Sequence, residues 1–306
     1  MINGVINVYK EKGYTSHDVV AKLRGILKQK KIGHTGTLDP EAEGVLPVCL
    51  GRATKLCGLL TDKRKTYEAV LHLGLVTDTQ DMTGTVLEEK EVMVTEEEVH
   101  SCITGFLGEQ KQIPPMYSAL KVNGQKLYEL ARQGKEVERK PRDVVFYDIQ
   151  ILETALPRVR FSVTCSKGTY IRTLCHDIGQ KLGCGGCMES LLRTRVERFC
   201  VEDSLKLSRI EEAVREDGLA PYIVTIEEMF SQCPKIVMPE TFDKPLHNGN
   251  AVPAPESLED GTRVRMYDSK ERFIGLYEYT KEKKQFRLIT MFCTPEDIAE
   301  DRKETP

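Results

Sequence analysis

The segment Lys31-Ile-Gly-His-Thr-Gly-Thr-Leu-Asp-Pro40 places a carboxylate, an imidazole and two glycines within ten residues. Gly33 and Gly36 permit a tight turn or the close approach of a ligand to the backbone. Pro40 disfavours a helical conformation of the residue before it, so Asp39 is expected in an extended stretch. The pattern predicts a shaped loop that presents Asp39. Its carboxylate could equally make a local backbone hydrogen bond, and these ten residues alone leave both roles open.

The composition is that of an ordinary soluble protein. A chain of 306 residues with 40% hydrophobic side chains has room for about two domains with a sizeable core. Ten cysteines, with no signal peptide and no long apolar run, predict free thiols in a reducing cytoplasm and no membrane segment. The formal charge of -3 gives no global nucleic-acid signature, so any RNA site must be a local patch.

The first hundred residues alternate between predicted strands and helices. Alternation or short apolar runs indicate strands over 3–10, 45–50 and 65–74. Helices are predicted over 16–29, with a capping box from Thr15 to Asp18, and over 95–107 behind Thr95. The basic end of the first helix, residues 28–31, either favours the helix dipole or meets phosphate.

A second strand-to-helix passage follows further along the chain. Residues 144–152 and 158–165 are predicted strands, and a helical spacing continues to Gly183. Tyr170 and Arg172 lie at this junction, where helix N-termini favour anions. Arg172 is a candidate partner for a buried carboxylate, although a surface position in a first helical turn is the commoner place for an arginine. Residues 204–230 are predicted to be helical.

A basic window spans about residues 112–142. Pro-Pro and Asn-Gly pairs mark turns in it, and Tyr117 and Tyr128 alternate with cations. This combination suits an RNA surface that follows the backbone and offers stacking positions, although a solvated surface insertion would have the same composition. The candidate RNA-binding side chains are Lys121, Lys126, Arg132 and Lys135.

Other motifs give weak support for metals or nucleotides. The acids Asp78 and Asp81 resemble a calcium loop, but the later glutamate is missing. Cys184 and Cys187 form a lone pair with no second pair at zinc-finger spacing. The chain also lacks a GxxxxGK[ST] or GxGxxG string. We therefore expect no metal and no cofactor.

The pattern of apolar and polar residues changes after Pro234. Short alternating runs separated by polar turns predict a small all-β domain over 231–293. Residues 1–230 would form the larger domain, and the charged residues 294–306 a flexible tail.

Several strings in this order resemble the TruB-type tRNA pseudouridine-55 synthases of bacteria. The resemblance spans about residues 3–200, and its most specific strings are Gly33-His-Thr-Gly-Thr-Leu-Asp-Pro40 and Ser166-Lys-Gly-Thr-Tyr-Ile-Arg172. It implies an α+β fold: a mixed, mainly antiparallel sheet with flanking helices. The C-terminal β region is similar to the β-barrel-like PUA domains that accompany such enzymes.

The resemblance also implies a reaction and a site. The chain would isomerise uridine 55 in the T loop of tRNA by base flipping, glycosidic bond cleavage, rotation and rejoining through carbon, without cofactor or metal. Asp39 would be catalytic, Arg172 would pair with it, and Tyr67 would stack on the target base. Tyr170 would lie near the flipped nucleotide, His34 would fill the space that the base leaves, and Leu191 would form an apolar wall. The window 112–142 would grip the T loop.

Glu11, Leu192 and Glu197 depart from the family pattern and affect the expected local RNA contacts more than the chemistry. A non-catalytic tRNA-binding folding factor is the alternative function. In either case tRNA is the expected partner of a monomer that needs no other protein.

Overall fold

A computed structural model describes residues 1–61, 63–122, 124–254 and 258–300, with the backbone alone for 299 and 300. The strands of this part are β1 (Gly4–Lys10), β2 (Ile32–His34), β3 (Glu43–Leu50), β4 (Lys65–Leu73), β5 (Leu75–Thr77), β6 (Val86–Glu89), β7 (Gly108–Gln112), β8 (Lys121–Val122), β9 (Gln125–Lys126), β10 (Arg142–Ala155), β11 (Arg158–Cys165), β12 (Gly186–Val196), β13 (Phe199–Cys200), β14 (Ile223–Val224), β15 (Lys235–Val237), β16 (Val252–Pro253), β17 (Arg263–Tyr267), β18 (Phe273–Thr280) and β19 (Gln285–Met291). The helices are α1 (Ser16–Ile26), α2 (Cys57–Thr61), α3 (Glu96–Thr104), α4 (Leu127–Arg132), α5 (Ile171–Lys181), α6 (Leu207–Arg215), α7 (Asp243–His247) and α8 (Pro295–Glu300).

The main sheet has the strand order β14-β1-β3-β12-β4-β11-β10-β7, and its pairings are antiparallel except between β12 and β3. That parallel pairing consists of Leu192 with Glu43 and Arg193 with Gly44. A Cβ on Gly44 would lie 2.3 Å from the carbonyl oxygen of Arg193, and its φ of +102° also favours glycine. Gly44 therefore allows the two halves of the sheet to meet at this short seam.

Helices cover each half of the sheet separately. On one half, α1 and α6 pack Leu23 and Ile210 against side chains such as Val48. On the other half, α3 and α5 pack Val99 and Ile178 against β4 and β11. Burial of each such side chain contributes about 1.5–3 kcal/mol. Because these two clusters share no residue, each half of the sheet has its own core beneath its helices.

Several predicted elements are confirmed. Helix α1 begins with a capping box in which the Thr15 side chain accepts from the Asp18 N–H and Asp18 accepts from the Thr15 N–H. Helix α3 has the same arrangement at Thr95. The strict alternation of β4 predicted its boundaries to within one residue.

The predicted helix over 204–230 is wrong for most of its length. Helix α6 ends at Arg215, and Asp217 then has a φ of +53° before Gly218. Pro221 follows, which lacks the N–H that a helix interior needs. The chain continues as a short 3-10 helix, Ala220–Tyr222, and strand β14.

The C-terminal strands form a curled sheet of order β15-β17-β18-β19-β16 around its own core, which includes Leu246, Tyr277 and Phe286. Phe292 also belongs to a cluster of buried side chains that includes Val5 and Val45 of the main sheet. The described part of the chain contains no helix long and apolar enough to cross a membrane.

The predicted flexible tail is wrong for residues 294–300. Helix α8 occupies most of this stretch, and the Arg52 guanidinium holds both carboxylate oxygens of Asp297, at 2.5 and 2.8 Å. Residues 301–306 of the predicted tail lie outside the described residues. The division into domains near residue 230 stays a prediction.

Candidate active site

The loop that carries Asp39 lies between β2 and β3 and is fixed at both ends. The backbone N–H and the hydroxyl of Thr35 each donate to the carbonyl of Pro47 at 3.2 Å. The Leu38 N–H donates to the hydroxyl of Ser16 at 2.9 Å, and Leu38 itself is buried. The flanking residues are thus anchored, while the Asp39 side chain remains 43% exposed. The loop presents a carboxylate from a rigid support.

Arg172 forms an ion pair with this carboxylate. It lies in the first turn of α5, is only 5% exposed, and its Nη2 is 3.0 Å from Asp39 Oδ2. Its Nη1 is 3.6 Å from Asp81 Oδ2, and the guanidinium also donates to the carbonyls of Thr79 and Tyr117 at 3.1 and 2.8 Å. A planar guanidinium with five donors suits such a set of acceptors. One buried cation therefore holds two carboxylates, Asp39 and Asp81.

The two predicted tyrosines lie near Asp39, whose charge acts on both phenols. Tyr67 on β4 is 8% exposed, and burial raises the pKa of its phenol. Tyr170 immediately precedes α5, and burial likewise raises the pKa of its phenol. Its backbone is held by Gln112, whose amide donates to the Tyr170 carbonyl at 2.9 Å and accepts from its N–H at 2.7 Å. Both phenols are therefore protonated near neutral pH.

His34 ends β2, close to the start of the Asp39 loop. Its Nδ1 accepts from the Gly36 N–H at 3.3 Å, and its ring meets the His17 ring edge-on at a centroid distance of 5.2 Å. Burial lowers the pKa of His34, and the His17 and Arg193 charges act in the same direction. The imidazole is therefore neutral at physiological pH and suits a role in packing.

A cleft of about 470 Å³ opens beside Asp39 at the seam of the sheet. Leu191 of β12 lies in its wall, so the structure brings Leu191 and Asp39 to one cavity. The cleft is lined by Tyr9, Lys12, Asp39, Glu41, Ala42, Glu43, Glu68, Ala69, Val70, Asp81, Met82, Thr83, Arg160, Met188, Glu189, Ser190, Leu191 and Leu192.

The basic window projects from one edge of the sheet. Its flanking strands pair at Gln112 and Arg142, so the residues between them leave the sheet and return to the same place. Lys121 and Lys126 face each other across the small β8–β9 hairpin, and α4 follows directly. Lys126 and Arg132 lie 5.3 and 5.4 Å from the centroid of the Tyr128 ring. Lys135 is exposed just beyond α4.

Sequence reasoning missed several polar residues that support the site. Lys10 is fully buried, and its Nζ donates to the carbonyls of Pro40 and Glu11 at 3.0 and 3.1 Å. Asp81 pairs with Arg172, whereas its sequence context indicates only a weak resemblance to a calcium loop. Gln112 had no recognisable motif. The sequence indicates a role for Lys10 only through its position at the end of an alternating strand.

The cysteine pair and the acidic loop assemble no metal cluster. Within residues 1–61, 63–122, 124–254 and 258–300, no group of three or more His, Cys, Asp or Glu side chains could hold a metal ion. Cys184 and Cys187 are buried free thiols.

Comparison with known proteins identifies the family. The profile of the TruB family pseudouridylate synthase N-terminal domain matches residues 24–171, and that of the tRNA pseudouridylate synthase B C-terminal domain matches residues 172–231. The protein named tRNA pseudouridine synthase B of Lachnoclostridium phytofermentans is 54% identical over 306 residues, which cover 95% of this chain and 100% of that protein. This chain belongs to the TruB family.

Further TruB relatives and solved structures agree. The tRNA pseudouridine synthase B of Clostridium tetani is 47% identical over 294 residues, covering 95% of this chain and 99% of the relative. A chain of a Cbf5-Nop10-Gar1 complex superposes with a TM-score of 0.72 at 30% identity, covering 96% of this chain and 86% of that one. A chain of an H/ACA RNP bound to a substrate RNA that contains 2'-deoxyuridine also has a TM-score of 0.72, at 27% identity, covering 95% and 85%.

The predicted resemblance to TruB-type synthases is confirmed by these matches, as is the predicted α+β fold with a mainly antiparallel sheet and a small curled C-terminal sheet. The chain is a pseudouridine synthase, an isomerase that acts on RNA. The roles predicted for individual site residues stay predictions.

Proposed function

We propose that this chain isomerises uridine 55 in the T loop of tRNA to pseudouridine, with Asp39 as the catalytic group. The observation that carries the proposal is the ion pair between Asp39 and the buried Arg172 at 3.0 Å. Arg172 is almost fully buried, and its planar guanidinium would hold the Asp39 carboxylate in one orientation towards the substrate.

The reaction needs no second reactant. The C1′–N1 bond of the uridine breaks and the uracil rotates in place. The C1′–C5 bond then forms, while the proton on C5 is lost and N1 gains one. All atoms of the uracil ring are retained, so we propose that neither a cofactor nor a metal takes part. The protein must hold the detached base and stabilise charge as it develops.

A base inside a folded loop must first leave its stack, which costs on the order of a few kcal/mol. Stacking on an aromatic side chain contributes about 1–3 kcal/mol per base. We assign that role to Tyr67, whose phenol lies near the Arg193 guanidinium. Tyr170 would contact the flipped nucleotide, Leu191 would form the apolar wall of the cleft, and the neutral His34 would occupy the space that the base leaves.

The basic window would hold the T stem-loop through phosphate contacts. Lys126 and Arg132 lie against the Tyr128 ring, Lys121 pairs with Lys126 across the hairpin, and Lys135 is exposed just beyond α4. The C-terminal sheet, residues 231–293, would act as a second RNA-binding domain of the PUA type. The folding-factor alternative is not favoured, because the relatives are named as synthases over nearly their full length.

We further propose that the chain works as a monomer without a protein partner, since Asp39, Arg172, Tyr67 and Tyr170 all come from one chain. A cytoplasmic location is supported by ten free cysteines, which suit a reducing compartment.

The test is to incubate an unmodified tRNA transcript with the wild-type chain or with Asp39→Asn, without metal or nucleotide, and to map pseudouridine by position. We expect product at uridine 55 with the wild type alone and similar tRNA affinity for both proteins. Tight tRNA binding by an inactive wild type would contradict the proposal and favour the folding factor. Loss of both activity and binding in Asp39→Asn would contradict the role of Asp39.

A further inference from the structure

Arg193 is a buried cation that the proposed reaction has not yet used. It lies in the middle of β12, is 1% exposed and is among the largest fully buried side chains of the protein. Among the described residues no carboxylate forms an ion pair with it, and burial lowers the pKa of its guanidinium. Burying a charge without a counter-ion is costly unless hydrogen bonds satisfy it. The hydrogen bonds of the Arg193 guanidinium should therefore explain why a cation is buried at this position.

The guanidinium links the Asp39 loop to the strand that follows the loop. Its Nε donates to the carbonyl of Val45, in β3, at 2.7 Å. Its Nη1 and Nη2 lie 3.4 Å from the carbonyl oxygens of Thr37 and Gly36 respectively. These carbonyls are two and three residues before Asp39. One side chain from β12, which lies on the same edge of β3 as β2, thus fixes the approach to Asp39.

The same guanidinium reaches Tyr67. Arg193 and Tyr67 are directly paired across the antiparallel strands β12 and β4, so their side chains share one face of the sheet. Burial raises the pKa of the Tyr67 phenol, and the Arg193 charge acts in the opposite direction with a smaller effect, as expected for close neighbours. Arg193 therefore adjoins both the loop that carries Asp39 and the ring proposed to stack on the base.

Only an arginine could make all these contacts. Its guanidinium carries five N–H donors in a fixed plane, whereas a lysine offers one compact ammonium. The backbone of β3 also accommodates this residue, because a Cβ on Gly44 would lie 2.3 Å from the carbonyl oxygen of Arg193. Gly44 therefore permits the close approach of β3 to β12 at Arg193.

We infer that Arg193 is a positioning residue of the isomerase, which fixes the distance between the Asp39 carboxylate and the Tyr67 ring across the seam of the sheet. It acts through these two residues and does not itself touch the substrate. The inference rests on the proposed function. A displacement of about 1 Å in a reacting group can reduce a rate about 100-fold, so the loss of this link should reduce kcat and leave tRNA binding intact.

The experiment compares wild type, Arg193→Met, Arg193→Lys and the control Arg195→Met on an unmodified tRNA transcript. Arg195 is exposed on the same strand, two residues further on. Rates are expressed per folded molecule, from thermal unfolding followed by circular dichroism. We expect kcat of Arg193→Met to fall about 100-fold with KM and tRNA Kd within threefold of wild type, Arg193→Lys to recover about tenfold, and Arg195→Met to match wild type.

Arg193→Met removes a buried guanidinium and can prevent folding. Arg193→Lys and Tyr67→Phe therefore test the inference as well. A reduced kcat at unchanged KM in Arg193→Lys supports the inference, and a wild-type kcat in that variant overturns it. In the double variant Tyr67→Phe/Arg193→Lys the losses should be smaller than the product of the single losses, because both remove one contact. Losses that multiply would overturn the link to Tyr67. An inactive wild type would refute the proposed function instead.

Discussion

Lys10 offers a quantitative test of how a buried charge supports the Asp39 loop. Its side chain is fully buried and donates to the carbonyl of Pro40, the residue after Asp39. Burial lowers the pKa of Lys10 from 10.5 to about 8, although Glu43, Asp39 and Glu41 act in the opposite direction. At about 1.4 kcal/mol for each unit of pKa, this lowering means that burial of the charged Lys10 reduces the free energy of unfolding by about 3 kcal/mol at neutral pH.

The sign follows from the number of bound protons. Between pH 8 and pH 10.5 the folded chain has lost the Lys10 proton while the unfolded chain still holds it. The contribution of Lys10 to the free energy of unfolding therefore rises with pH in this window and is constant below it. The free energy of unfolding of the wild type minus that of Lys10→Met should thus increase by about 3 kcal/mol from pH 7 to pH 10.5.

The measurement is urea unfolding followed by circular dichroism at several pH values in this range. Taking the difference between proteins cancels the titration of tyrosines and cysteines that both share. Lys12→Met is the matched control, because Lys12 is exposed and only two residues away. A difference between wild type and Lys10→Met that stays flat from pH 7 to pH 10.5 would refute the reasoning.

Three further predictions concern charge elsewhere in the chain. Arg172→Lys should reduce kcat about 100-fold with little change in tRNA affinity, because a lysine cannot replace a guanidinium that holds two carboxylates and two carbonyls; steady-state kinetics test this, and a kcat within threefold of wild type would contradict it. Replacement of Lys121, Lys126 and Lys135 by Gln should weaken tRNA binding and lower the slope of log Kd against log salt by about 0.7–0.9 for each lost phosphate contact, whereas an unchanged slope would exclude this surface. Burial raises the pKa of Asp177 from 3.8 to about 6, so its contribution to stability falls as pH rises through that window. Since the side chain is partly exposed, Asp177→Asn should raise the free energy of unfolding by about 1–2 kcal/mol at pH 7 and by less at pH 4, and an equal effect at both pH values in urea titrations would argue against it.

Local chemistry explains why much of the fold was predictable. The Thr15 and Thr95 capping boxes each involve residues three apart, so the sequence alone contains both partners. The alternation of β4 reflects a strand with one face on a core, and that pattern is complete within nine residues. In the stretch 204–230 apolar spacing favoured a helix, but Gly218 and Pro221 ended it.

The supporting residues of the site could not be predicted because their partners are distant in sequence. Arg193 meets carbonyls 148 to 157 residues away, and Gln112 meets Tyr170 across 58 residues. Fully buried arginine and lysine side chains are also rare, so sequence reasoning assigns them to the surface. The ion pair between Arg172 and Asp39 could be predicted from the sequence only because both residues lie in recognisable motifs.

The cluster of buried side chains that joins Val5 and Val45 to Phe292 has a consequence for how the protein is made. A ribosome releases the first strand almost three hundred residues before Phe292. Until then the cluster lacks one of its buried side chains, and exposed apolar surface promotes aggregation. A chain ended at residue 290 should therefore be recovered mainly in the insoluble fraction after expression, whereas one ended at residue 300 should stay in solution. Recovery of both in the soluble fraction would contradict this. A side chain close to residue 300 thus helps to complete a core that starts at the first strand.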